Sequence, residues 1–128
     1  MEDIVTFDLA VKLKNKGFNI PFYFYYRTDD QLLRHANIAN PLVYGDEVDD
    51  EVIIAPTISQ VLKWLREEKD IDLVISPVFF YDGVLGKMRE YGCKVFALSL
   101  NKPEHCGYHE EWEQAAIAGI EYVINNII

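Results

Sequence analysis

This chain has little of several things, and each shortage excludes something. Basic residues are few: 12 Lys and Arg stand against 21 Asp and Glu, a formal net charge of −9. A surface of that sign does not grip phosphates by counterion release, so nucleic acid is not expected as a main partner. Long apolar runs are missing as well. The longest, around Val74 to Tyr81, is broken by Ser76 and Pro77 and falls far short of the roughly 20 residues that span a bilayer. No membrane partner is expected. Met1-Glu2-Asp3-Ile4-Val5 is acidic where an export signal is basic, which points to a cytoplasmic protein. There are two cysteines, Cys93 and Cys106, expected in that compartment to be reduced thiols rather than a structural disulfide.

What is present is the balance of an ordinary globule: 128 residues, 50% hydrophobic and 26% charged. A chain of that size buries roughly two thirds of its unfolded surface and needs no metal or disulfide staple. Residues 1–128 are therefore expected to form a single α+β domain. Thr6 can cap a first helix, Asp8 sits in its first turn, and Gly17 follows Lys16 where a left-handed residue is needed. Leu9, Ala10 and Leu13 recur at helical spacing, and Phe18 can fold back onto Leu13. Five aromatics in a row, Phe22 to Tyr26, crowd a helix but suit a pleated strand, with Phe22, Phe24 and Tyr26 on one face, in the core. Thr28-Asp29-Asp30 is a turn cluster from which Gln31 to His35 can return as a hairpin strand. From about Ala36 to Ala55 no period is sustained, so a long surface loop is expected.

Pro56-Thr57-Ile58-Ser59-Gln60 places a capping threonine three residues before a glutamine, the reciprocal pattern that opens a helix. Ile58, Val61, Leu62 and Leu65 form its apolar stripe, Trp64 flanks it, and it should stop near Lys69 or Asp70. Ile71 to Ile75 and Val78 to Tyr81 predict a strand interrupted or bulged at Ser76-Pro77, and so an edge strand. Cys93 to Leu100 predicts another. Between them Val84, Leu85, Met88 and Tyr91 have helical spacing, leaving a helical crossover and a long hairpin both open. Trp112, Ala116, Ile120, Val123 and Ile127 give the stripe of a last helix from Glu111 to Ile128. Gly119 inside it costs up to about 1 kcal/mol, which a close approach would offset.

Three stretches carry a resemblance: Val5 to Leu13 with Gly17-Phe18, Ala55-Pro56-Thr57-Ile58-Ser59-Gln60 through Trp64-Leu65-Arg66-Glu67-Glu68, and Ala115 to Ile128. Together they resemble an uncharacterised family of small bacterial proteins found in prophages and mobile elements. The resemblance implies a small antiparallel sheet of three to four strands with three main helices packed against it, which favours the hairpin for Ile71 to Leu100. It supplies no catalytic residues.

Chemistry-bearing clusters are sparse. Cys93, His105, Cys106 and His109 are the only soft-ligand set, and adjacent His105 and Cys106 suit one tetrahedral zinc poorly. A buried Cys93 and a loop Cys106 are expected instead, with no metal and no cofactor. Gly83-Val84-Leu85-Gly86-Lys87 lacks both the spacing and the following hydroxyl of a phosphate loop. The acid run lacks the ligand spacing of a calcium loop. Asp46, Glu47, Asp49, Asp50 and Glu51, five carboxylates in six residues, form the candidate partner-binding site, offering negative charge to a protein partner. The expectation is a non-enzymatic intracellular interaction protein. The alternative is a small-molecule binding protein or minor enzyme with a pocket at the aromatic strand.

Overall fold

The computed structural model describes residues 3–36, 42, 44 and 50–128. Among them are three helices and two three-stranded antiparallel sheets, an α+β fold. The small sheet expected from the sequence is thus two sheets, one in each of two compact units, Met1–Gln60 and Val61–Ile128.

In the first unit, helix α1 (Phe7–Asn15) begins where Thr6 Oγ1 accepts the Leu9 N–H at 3.4 Å. It ends as the glycine predicts. Gly17 takes φ +86°, its N–H reaches the Lys14 carbonyl at 3.1 Å, and the Phe18 N–H reaches the Leu13 carbonyl at 3.0 Å. Leu13 and Phe18, the two apolar positions of such a helix end, are both buried. Strand β1 (Phe24–Arg27) lies between β2 (Leu33–His35) and β3 (Val52–Ile54), pairing Tyr25 with Arg34 on one side and Ile54 on the other. Strand β3 corrects the expected loop between Ala36 and Ala55. All three of its residues are buried, and a strand covered on both faces has no alternation from which to read a period. The aromatic run also departs from expectation: Phe22 is buried and Tyr26 half-buried, but Phe24 is exposed, set against His35 on the short outer strand.

Helix α2 (Ile58–Lys69) opens with the reciprocal bonds its sequence spells: Thr57 N–H to Gln60 Oε1 at 2.8 Å, and Gln60 N–H to Thr57 Oγ1 at 3.2 Å. Asp70, with φ +54°, ends it. Trp64 is buried while Leu62 is only half-buried, so the covered stripe is rotated toward the tryptophan.

In the second unit, β4 (Ile71–Asp82) and β5 (Gly86–Ala97) pair without interruption from Ile71 opposite Ala97 to Asp82 opposite Gly86. The helical crossover is thereby excluded. Val84 and Leu85 belong to the turn, and Met88 and Tyr91 to β5. The Asp82 carboxylate closes that turn, its Oδ1 accepting the N–H groups of Val84 at 2.7 Å and Leu85 at 2.9 Å. Ser76-Pro77 interrupts burial rather than pairing. Proline is tolerated because β4 is an edge strand, but before it Ile71, Leu73 and Ile75 are the covered side chains, and after it Val78 is while Phe79 is not. Strand β6 (Glu104–His109) adds to β5, and helix α3 (Trp112–Asn126) packs on all three strands through buried Ala116, Gly119, Ile120 and Val123. Gly119 lies over Cys93: a Cβ there would stand 2.4 Å from Cys93 Sγ. That sulfur is the close approach the glycine's cost required. Among the described residues no helix is long and apolar enough to cross a membrane.

Candidate functional site

Cross-strand partners in an antiparallel pair share a face. Leu73 with Val95 and Ile75 with Cys93 therefore lie on the face that α3 covers, and four and six residues beyond Ile75, Phe79 with Arg89 and Tyr81 with Lys87 continue it. The cover stops but the apolar side chains do not. Phe79 is 71% exposed and Tyr81 76%, and at the turn Val84 and Leu85 are 92% and 70% exposed. Phe80, on the opposite face and paired with Met88, is also exposed. The Arg89 guanidinium lies 5.3 Å from the centre of the Tyr91 ring, a cation–π contact that holds it along this face. The turn is closed by its own bonds, since Asp82 accepts two of its amides and Gly86 takes φ +84°. The result is an ordered apolar prominence carrying two cations. Exposed apolar groups gathered in this way mark contact surfaces more often than isolated ones do. Their sequence signal was Gly83-Val84-Leu85, a three-residue glycine-containing loop set between strand-forming residues.

The acid run is divided. Asp46, Glu47 and Asp49 lie outside the described residues. Asp50 and Glu51 are exposed, and Glu51 Oε2 is 2.8 Å from Arg27 Nη2. The Asp50 carbonyl accepts from Lys14 Nζ at 3.4 Å. The carboxyl-terminal end of the run thus already has cationic neighbours within its own unit.

A groove of about 270 Å³ runs beside the aromatic strand, between Phe22, Tyr23 and Phe24 and the Ala55, Thr57 and Gln60 side. Of Tyr23, Tyr25 and Tyr26, the tyrosines of the aromatic run, Tyr23 lines it and the other two do not. Tyr26 instead donates its hydroxyl to the Val5 carbonyl at 2.6 Å. Thr57 and Gln60 spend their side-chain oxygens on opening α2.

No family model, curated protein sequence or solved structure matches this chain. Function has to be argued from its own geometry. Cys106 lies in β6 rather than in a loop, and Cys93 is buried as expected. Burial pushes the Cys93 thiol up to about 12 and raises Cys106 as well, so both are held in the protonated, weakly nucleophilic form. His105 Nδ1 accepts the Gly107 N–H at 3.0 Å, and its ring packs on Tyr108. His109 Nε2 is buried without a hydrogen-bond partner. Among the described residues no three His, Cys, Asp or Glu side chains converge as metal ligands. In the first unit Tyr44 is also raised to about 12, chiefly by burial, and its hydroxyl accepts the Ile54 N–H.

Proposed function

We propose that this protein is a non-enzymatic interaction protein, an accessory protein of prophage or mobile-element origin, and that its contact element is the tip of the β4–β5 hairpin. One observation carries the reading: Phe79 and Tyr81 stand in solvent on the face that, a few residues earlier in the same strand, is core. The partner that fits is a protein with an apolar cleft bordered by carboxylates, which would take the aromatic side chains and face Lys87 and Arg89. A photo-crosslinking amino acid at position 84 identifies that partner. The affinity of the purified partner is then compared between the native chain and a Phe79→Ser/Tyr81→Ser variant. Loss of tenfold or more, about 1.4 kcal/mol, is expected of central aromatic anchors. Equal affinity sinks the reading. In a parallel arm, Asn and Gln replace Asp46, Glu47, Asp49, Asp50 and Glu51. If this variant alone weakens binding, the acidic run is the contact site instead.

The second reading is a small-molecule binding protein or minor enzyme with its pocket at the aromatic strand, and the groove beside Tyr23 is what favours it. Saturable NMR shifts at Tyr23, Phe24 and Gln60 on titration with small aromatic fragments would support it. The engagement of Thr57 and Gln60 with each other counts against it, because few free polar groups are left to orient a ligand.

A further inference from the structure

The two cysteines are widely separated in sequence but not in the sheet. Strands β5 and β6 pair Val95 with Glu104 and Lys94 with His105, and at the irregularity that follows the single residue Cys93 faces the two residues Cys106 and Gly107. The register then slips by one residue, so that Gly92 meets Tyr108. Gly107, with φ +98°, is the residue the slip inserts. Side chains directly opposite each other share a face, and Cys93 Sγ points toward α3 at Gly119. Both thiols are free, and each is near enough to the other to shift its titration. Cβ atoms of opposed residues lie about 4.5–5.5 Å apart, against about 3.5–4.5 Å in a disulfide. Closing the pair needs the two strands to draw together locally, at the point where Gly107 makes a bulge in β6.

We infer that Cys93 and Cys106 form a reversible dithiol site that closes into an intramolecular disulfide by exchange with a low-molecular-weight disulfide of the glutathione type. Cys106 is partly accessible and Cys93 is fully covered, which sets the order of events. The Cys106 thiolate attacks the oxidant, a Cys106–glutathione bond forms, and one glutathione thiolate leaves. The Cys93 thiolate then attacks the Cys106 sulfur and expels the second glutathione. The pair loses two protons and two electrons, and one glutathione disulfide becomes two glutathione thiols. Because only thiolates attack and burial holds both groups protonated, closure should speed up as pH rises from neutrality.

The test incubates the native chain with glutathione disulfide at several pH values, quenches with acid, and maps peptides by mass spectrometry. Expected are a monomer lighter by two hydrogens, a peptide joining Cys93 to Cys106, a higher unfolding midpoint, and full reversal by dithiothreitol. Cys106→Ser should take up no glutathione and form no link. Cys93→Ala should stop at the glutathione adduct. Should that buried variant not fold, the peptide map of the native chain decides alone. A native chain that stops at the Cys106 adduct, forms disulfide-linked dimers, or leaves both thiols unreacted overturns the inference.

Discussion

Near the strand ends of the β4–β5 hairpin, Ile71, Cys93 and Val95 are buried, whereas near its turn Phe79 and Tyr81, on the same face, stand in solvent. The two halves do not differ in pairing, which is continuous, or in strand-forming character. They differ in cover. A twelve-residue strand runs about 40 Å, while the fifteen-residue α3 rises about 22 Å. Even laid along the ribbon, the helix could shield only about half of it. Apolar alternation therefore specifies a face and leaves open what meets that face. In the covered half the complement is α3. In the bare half nothing within this unit supplies it, and that is the reason for proposing the contact site there.

The largest expected effect separates the halves directly. Ile120→Ala removes a fully buried side chain of α3 over the sheet and should cost about 2–5 kcal/mol in urea unfolding. Phe79→Ala removes a larger side chain from the bare half and should cost less than about 0.5 kcal/mol. Comparable losses from the two would mean that the tip is part of the core and that the contrast is mistaken.

Next in size is Gly119→Ala. Alanine is the better helix former by about 1 kcal/mol, but its Cβ would meet Cys93 Sγ at 2.4 Å. Overpacking of that kind costs about 1–3 kcal/mol, so net destabilisation is expected. Cys93→Ala withdraws the sulfur. The double variant should therefore be more stable than the sum of the two single changes implies, the positive coupling of residues in contact. Simple additivity would show that α3 does not press on Cys93.

Cys93 also gives the covered half an alkaline signature. Its folded-state value lies near 12, above the ordinary 9.0, so the folded chain retains a proton that the unfolded chain releases. The associated stability is complete below about pH 9 and is lost as pH rises toward 12. Relative to Cys93→Ala, the native chain should lose stability more steeply across that window. Parallel slopes would mean that the thiol is not buried.

Much of this arrangement was legible in the residues because it is written locally. Thr6, Gly17 and Phe18 mark both ends of α1, and Thr57 with Gln60 marks the start of α2. In each case the bonds that form lie within five residues of one another. What could not be read depends on distant partners. Val52–Ile54 has no period because both of its faces are covered. The spacing of Val84, Leu85, Met88 and Tyr91 fits a helix as well as it fits a turn followed by a strand, and only pairing with β4 decides between them. The closeness of Cys93 to Cys106 follows from the β5–β6 register, and neither cysteine's neighbours in sequence announce it. The charge density of Asp46 to Glu51 is visible in the sequence, whereas exposed aromatics are informative only once the limits of the core are known.

The smallest expected effect is confined to the bare half and tests whether its tip is ordered without cover. Asp82 accepts the amides of Leu85 and Val84, and these bonds hold its carboxyl below the ordinary 3.8. A depressed value means that the turn's stabilisation is present above that pH and is lost as pH falls through the lowered value. Because the group lies at the turn, away from the half that α3 covers, the effect should stay local, with the covered half keeping its protection from amide exchange while the turn loosens. NMR titration from about pH 6 to about pH 2 should show the Val84 and Leu85 amide shifts moving together with a midpoint under 3.8. In Asp82→Ala the same amides should show little movement. A midpoint at or above 3.8, or no shift of those amides in the native chain, would mean that the carboxylate does not hold the turn. The exposed Val84 and Leu85 would then belong to a mobile loop, and the case for a preformed contact surface would be correspondingly weaker.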